Sequence, residues 1–234
     1  MERLAAKKGI PFISKRVTQQ LCIATISVVL TVGLFFVIES NQAMFRWSMA
    51  TAYVGLALIG LSLIIGPINV LRGHHNPLNA SLRRDIGIWG GIAGLVHTVV
   101  GSQVHMAGRF WIYFLYPREE SHLIPFRYDL FGLANYSGLG VSLVLVLLLS
   151  LSNNAALTRL GSQRWKSLQR WNYAGFALLV IHGAIYQLLE KRMAGFVLVF
   201  ATAVLFVGTL QISGAMKLLR LPREVRPPGV DSKG

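Results

Sequence analysis

Between its charged residues the chain falls into six long runs free of Asp, Glu, Lys and Arg: 17–38, 47–71, 86–108, 130–158, 171–189 and 193–216. Each exceeds the roughly 18 residues that an apolar helix needs to cross the core of a bilayer. A core helix of a soluble protein would meet a charge sooner, and six such uninterrupted runs lie far outside the helix lengths of soluble domains. The pattern predicts an all-α, polytopic membrane protein with six transmembrane helices. It divides the chain into a basic N-terminus (1–16), the six-helix domain (17–217) and a tail (218–234) containing "LPREVRPPGVDSKG", which is too proline-broken and polar to continue a helix. The first run follows a basic stretch, the outline of a signal peptide. It is too long for one, and no A-x-A-like cleavage site follows near "VIESNQ", so it is expected to be a retained helix.

Charge adds orientation to this picture. The formal net charge of +14 invites a nucleic-acid reading, but the basic residues alternate with the runs. Seventeen of the 23 fall on one side: Arg3, Lys7, Lys8, Lys15 and Arg16; Arg72, Arg83 and Arg84; Arg159, Arg164, Lys166 and Arg170; and five in the tail from Lys217 to Lys233. The positive-inside rule makes that side cytoplasmic, with both termini inside a cell membrane, the bacterial inner membrane being the expected one. Basic residues scattered over short loops, with no reading module, exclude nucleic acid as a partner and leave the lipid bilayer. Only 14% of residues are charged, against about 25% in soluble domains. The lone Cys22 excludes an intrachain disulfide, a Cys-ligated cluster and a covalent Cys-x-x-Cys-His haem site. No H-E-x-x-H, G-x-S-x-G or G-x-G-x-x-G occurs and no carboxylates pair in the spans, so hydrolytic and nucleotide chemistry have no platform.

What the apolar pattern does not explain is histidine inside it. His97 follows Arg84 by 13 residues and His182 follows Arg170 by 12, so on helices both lie roughly 18 to 20 Å from the basic side, at matching depth. The segments "RDIGIWGGIAGLVH" and "QRWNYAGFALLVIH" share a basic entry, a glycine seven before the histidine and an apolar approach to it. Two parallel helices offering one neutral imidazole each at one depth is the arrangement that ligates a haem iron from both faces. Gly90, Gly94 and Gly101 share the helical face of His97, and Gly175 that of His182, a side-chain-free strip along which a porphyrin edge could lie. Small residues at this spacing also serve plain helix packing, and intramembrane histidines also serve interhelical hydrogen bonds. His105, eight residues and about 12 Å past His97, is turned by about 80° and falls at the depth of Glu190. It reads either as an outer haem or quinone contact or as a hydrogen-bonded interfacial residue. The loop Gly108–Asp129 carries Trp111, Tyr113, Phe114 and Tyr116, the residue types of an aromatic belt. Its Glu119, Glu120 and His122 read as a metal site or as an ordinary wet loop, while His74 and His75 belong to the loop "RGHHNP".

"LRRDIGIWGGIAGLVH" and "RWKSLQRWNYAGFALLVIHG", within a six-helix chain, resemble the ferric reductase-like transmembrane domain. That superfamily includes the haem-binding membrane subunit of bacterial methionine sulfoxide reductase systems (the MsrQ or YedZ type), NADPH oxidases and STEAP-like reductases. The resemblance implies b-type haem held by His97 and His182, an oxidoreductase component moving electrons from a cytoplasmic reductase or quinol to an outer acceptor, with flavin or quinone as further candidate cofactors. Members with two stacked haems carry another histidine 13 or 14 residues from the first on each helix. Here those positions are Arg84 and Gln169, so one haem is expected, and Arg84 and Arg170 become candidates to neutralise propionates or plain positive-inside anchors. The alternative from another class is a non-redox multi-pass protein, transporter-like or an assembly subunit, with structural histidines.

Overall fold

A computed structural model describes residues 12–73, 77–105, 109–117 and 122–220. Its helices are α1 (Phe12–Val37), α2 (Ala43–Arg72), α3 (Pro77–Gly101), α4 (Leu130–Ser150), α5 (Asn154–Gln169), α6 (Trp171–Leu189) and α7 (Ala194–Arg220), with a 3-10 turn at Phe110–Tyr113. Five stretches are long and apolar enough to cross a membrane: α1 from Lys15, α2, α4, the α5–α6 stretch to Leu189, and α7. Large apolar side chains stand exposed along α1, α4 and α7, the surface expected of a multi-pass membrane protein whose outer faces meet lipid. Among the six expected spans α3 is the one outside this set. It carries Arg83, Arg84, Asp85 and five glycines, which dilute its hydropathy.

Two of the apolar runs are longer than the helices they contain. The run 130–158 breaks after Ser150, because Ser152 and Asn153 spend their side chains on local backbone: Ser152 Oγ donates to the Leu148 carbonyl, and Asn153 Oδ1 accepts from the Ala156 N–H at 2.7 Å as the cap of α5. α5 bends at Gly161, whose φ of 72° and ψ of 162° suit glycine alone. The run 86–108 ends as a helix at Gly101. There the Tyr113 hydroxyl, in a ring only 4% exposed, lies 3.2 Å from the Gly101 carbonyl and 3.1 Å from that of Ser102, and accepts from the His105 N–H. At the same end of the bundle α4 starts on Asp129, which accepts from the Gly132 N–H at 2.6 Å and pairs with Arg127 at 2.7 Å. The hydrogen bonds from Arg127 hold the Asp129 carboxyl below the usual aspartate range.

The helices pack mainly as two pairs, α2 with α3 and α4 with α6, while α7 and α1 lie on α2. At one end Arg16 and Gln19 of α1 reach the fully buried Asp85 of α3, Arg84 meets Asn154, and Lys217 donates to the Leu71 carbonyl. At the opposite end Arg46 donates to the Phe35 carbonyl, Tyr53 to the Phe196 carbonyl, and His105 pairs with Glu190. The basic loops of the sequence thus share one end of the bundle. Pro67 within α2 supplies no N–H to the Leu63 carbonyl one turn back, and Gln211 of α7 donates to that carbonyl at 2.8 Å. Gly214, one turn further along α7, lets the two backbones approach: a Cβ there would stand 3.0 Å from the Pro67 Cβ. The N-terminal stretch 1–11 and the tail from 221, parts of the first and last divisions drawn from the sequence, lie outside the described residues, as do His74, His75, Glu119 and Glu120.

Candidate functional site

His97 on α3 and His182 on α6 come together inside the bundle, within about two turns of the ends of α2, α3 and α4 that lie away from the basic loops, ring centres 6.1 Å apart and planes at 74°. Their helices make no extended contact with one another, because α3 is committed to α2 and α6 to α4. Each imidazole is tied to the helix its own helix packs on. His97 Nδ1 lies 2.9 Å from the Ser48 carbonyl of α2, with Ser48 Oγ at 3.3 Å, and His182 Nδ1 lies 2.8 Å from the Ala134 carbonyl of α4. A carbonyl only accepts, so Nδ1 carries the proton in both rings, and in the neutral imidazole the free lone pair is on Nε2. This is the outer hydrogen bond by which metal-ligating histidines have tautomer and orientation fixed.

The spacing also suits one metal between the rings. A metal–imidazole bond of about 2 Å on each side, with about 1 Å more from nitrogen to ring centre, sets the centres of two ligating rings roughly 6 Å apart. Among the described residues no three His, Cys, Asp or Glu side chains cluster to hold a metal ion. Two imidazoles alone do not make a closed site for a bare ion, which takes about four ligands. They do suffice for an iron whose four equatorial ligands arrive with a macrocycle. On donor chemistry the pair therefore fits haem.

The surroundings are tighter than the glycine strip alone suggests. A cavity of about 200 Å³ opens beside the two histidines, lined by Ser48, Tyr113, Asn135, Leu145 and Tyr186 among others. Gly90 lies against α2, where a Cβ would come within 3.0 Å of the Ile59 backbone nitrogen. A Cβ at Gly94 would meet the end of the Leu145 side chain at 2.6 Å, and one at Gly175 would meet Val144 at 2.8 Å. Gly101 is the most open of the four, with Ser48 Oγ at 3.4 Å and His97 Cε1 at 3.7 Å. The four glycines thus admit neighbouring helices closely, and Gly94 and Gly101 also line the cavity. A porphyrin entering beside the pair would need Leu145 to turn away from Gly94.

His105 lies beyond the end of α3, not on a continued helix, and so the spacing drawn from ideal helix geometry does not apply to it. It lies on the wall of the same cavity, with Nε2 3.0 Å from Glu190 Oε1 and its ring stacked on Tyr186 at 6.1 Å and 19°. The Tyr186 ring in turn lies 4.9 Å from that of His182, and its hydroxyl donates to Asn135. Arg84 and Arg170 line a second, separate cavity toward the basic end. The cation on the wall of the histidine cavity is Arg192, set over the Phe45 ring at 4.7 Å, with its Nη1 buried and unpartnered, as is Oε1 of Gln187. Burial lowers the Arg192 pKa from its ordinary value, and Glu190 opposes that shift. Sequence reasoning assigned no role to Arg192, Gln187 or Asn135; the one available signal was the charged cluster Glu190, Lys191 and Arg192 between two apolar runs. His122 joins an aromatic cluster, stacked on Tyr116 at 3.6 Å with Nδ1 3.2 Å from the Tyr128 hydroxyl. No protein-family model matches the chain, and no curated protein matches it.

Proposed function

We propose that this protein is a multi-pass membrane component holding one b-type haem between His97 and His182 and carrying electrons between the two sides of the membrane. The observation that carries the reading is the pair itself: two imidazoles 6.1 Å apart inside the bundle, each with Nδ1 bound to a carbonyl of a neighbouring helix and the lone pair of Nε2 left for a metal. Haem bound there would be held by His97 and His182 and would supply one-electron chemistry. The chain's own contribution is to fix both rings, surround them with apolar side chains, and offer Arg192 as the cation that would meet a propionate. The ferric reductase-like resemblance supports the same assignment and suggests a separate reductase or quinol as donor and an outer acceptor. The basic end of the bundle is the cytoplasmic one on this reading, with α3 as the sixth span.

A second reading is favoured by the same hydrogen bonds together with the packing of Leu145 on Gly94: the histidines tie α3 to α2 and α6 to α4 in a non-redox membrane protein. The purified full-length chain separates the two. A Soret band with sharp reduced α bands and about one haem per chain is expected, lost in His97→Ala and His182→Ala and kept in His105→Ala. A folded but colourless preparation, or normal haem after loss of His97, overturns the assignment.

A further inference from the structure

The larger of the two cavities lies toward the basic end, a space of about 700 Å³ between α2, α3, α4 and α6, with Trp165 and Lys166 of α5 on its wall. Ile59, Val141, Leu145 and Leu179 line both cavities and stand between them. Its walls are of two kinds. The inner walls are apolar, from residues such as Leu63, Leu148 and Phe176, while Arg83, Arg84, Lys166 and Arg170 supply four cations. Among the described residues that line it there is no His, Cys, Met, Asp or Glu. Gln169 is the residue at the position where a second haem would require an imidazole, and it lines this cavity too.

Two buried polar atoms on this wall have no hydrogen-bond partner: Arg84 Nε, a charged donor, and Asn172 Oδ1, an acceptor. A buried unmet donor and acceptor are each costly, and together they describe the ligand that would relieve them: an anionic acceptor with a hydroxyl donor close by. Arg83 is held at the cavity by space left for it, since a Cβ on Gly66 of α2 would come 3.2 Å from its guanidinium. An apolar chamber with a cationic wall, at the end of the bundle where anionic headgroups gather, selects an amphiphile with a negative head over a neutral one.

We propose that this cavity is a binding site for one acidic phospholipid of the surrounding bilayer. The phosphate meets Arg84 and Arg83, a headgroup hydroxyl reaches Asn172, and acyl carbons lie along Leu148 and Phe176. This site is independent of the haem assignment and is tested without reference to colour. Delipidated full-length protein in neutral detergent is titrated with dioctanoyl phosphatidylglycerol, dioctanoyl phosphatidylcholine, a neutral alkyl hydroquinone and inorganic phosphate. Bound species are counted by native mass spectrometry. One phosphatidylglycerol per chain is expected, bound in preference to the other three. Arg83→Ala and Arg84→Ala are each expected to cut that preference about fivefold, the factor for about 1 kcal/mol per basic residue, while Arg84→Lys retains most of it. Should either alanine variant fail to fold, exchange of retained phosphatidylglycerol for excess phosphatidylcholine on the unaltered protein decides alone. Equal binding of the two phospholipids, tighter binding of the hydroquinone, full occupancy by phosphate alone, or an unchanged preference in Arg84→Ala overturns the site.

Discussion

The position of the His182 ring depends on a residue with no side chain. A Cβ on Gly138 of α4 would stand 2.7 Å from His182 Nδ1 and 2.8 Å from Cε1, so the imidazole lies directly against the α4 backbone, where it reaches the Ala134 carbonyl. Gly138→Ala must therefore push away a ring fixed by a hydrogen bond. Gly94→Ala meets only the far end of Leu145, which can rotate. Gly138→Ala is expected to cost about 1 to 3 kcal/mol and to lower haem content per chain, whereas Gly94→Ala costs less in stability. Thermal melting and the Soret absorbance per chain check both, and equal effects would mean that the ring is not held where the hydrogen bond puts it. The two histidines were legible in the sequence because an imidazole inside an apolar run stands out by composition. Gly138 was not, because periodicity gives the face a residue shares within its own helix and not the side chain that arrives from another.

At the scale of elements, the helices follow from apolar run length, but their ends follow from polar details that run length ignores. Ser152 and Asn153 carry no charge and so leave the run 130–158 intact on paper, yet their side chains bond the local backbone, end α4 at Ser150 and start α5. Tyr113 ends α3 from outside that helix, through a contact that no local pattern encodes. The join between α2 and α7 is of the same long-range kind. Pro67 leaves the Leu63 carbonyl without its helical donor, and Gln211 supplies one from the neighbouring helix at 2.8 Å. Gln211→Leu keeps the bulk and removes the donor, so it is expected to destabilise the fold by about 1 to 3 kcal/mol, the cost of an unmet buried carbonyl. Denaturant or thermal unfolding of the purified variant measures this. A neutral result would place a water or lipid donor at that carbonyl and remove Gln211 from the account of how α7 docks.

For the whole molecule, the distribution of charge gives a direction and the contacts give the sides. Arg16 with Asp85, Arg84 with Asn154, and Lys217 with the Leu71 carbonyl bring the basic ends of α1, α2, α3, α5 and α7 together, while Arg46, Arg192 and the His105–Glu190 pair lie at the other end. An alternating basic pattern in a chain without a membrane would have no reason to sort in this way. On the reading proposed above the sorted end faces the cytoplasm, and an even number of crossings would return the start of α1 and the end of α7 to it, so that α3 is expected to cross despite its glycines and its charged start. The single cysteine makes this testable. In a Cys22→Ser background, Ser167→Cys on exposed α5 and Leu123→Cys at a wholly exposed position ahead of α4 report the two ends of the bundle. A membrane-impermeant maleimide applied to intact cells is expected to label Leu123→Cys at once and Ser167→Cys only after lysis. The reverse order would invert the molecule, moving the four-cation cavity to the outer leaflet. Labelling of both from outside would take α4, the helix that holds His182 through the Ala134 carbonyl, out of the set of spanning helices and overturn the proposed topology.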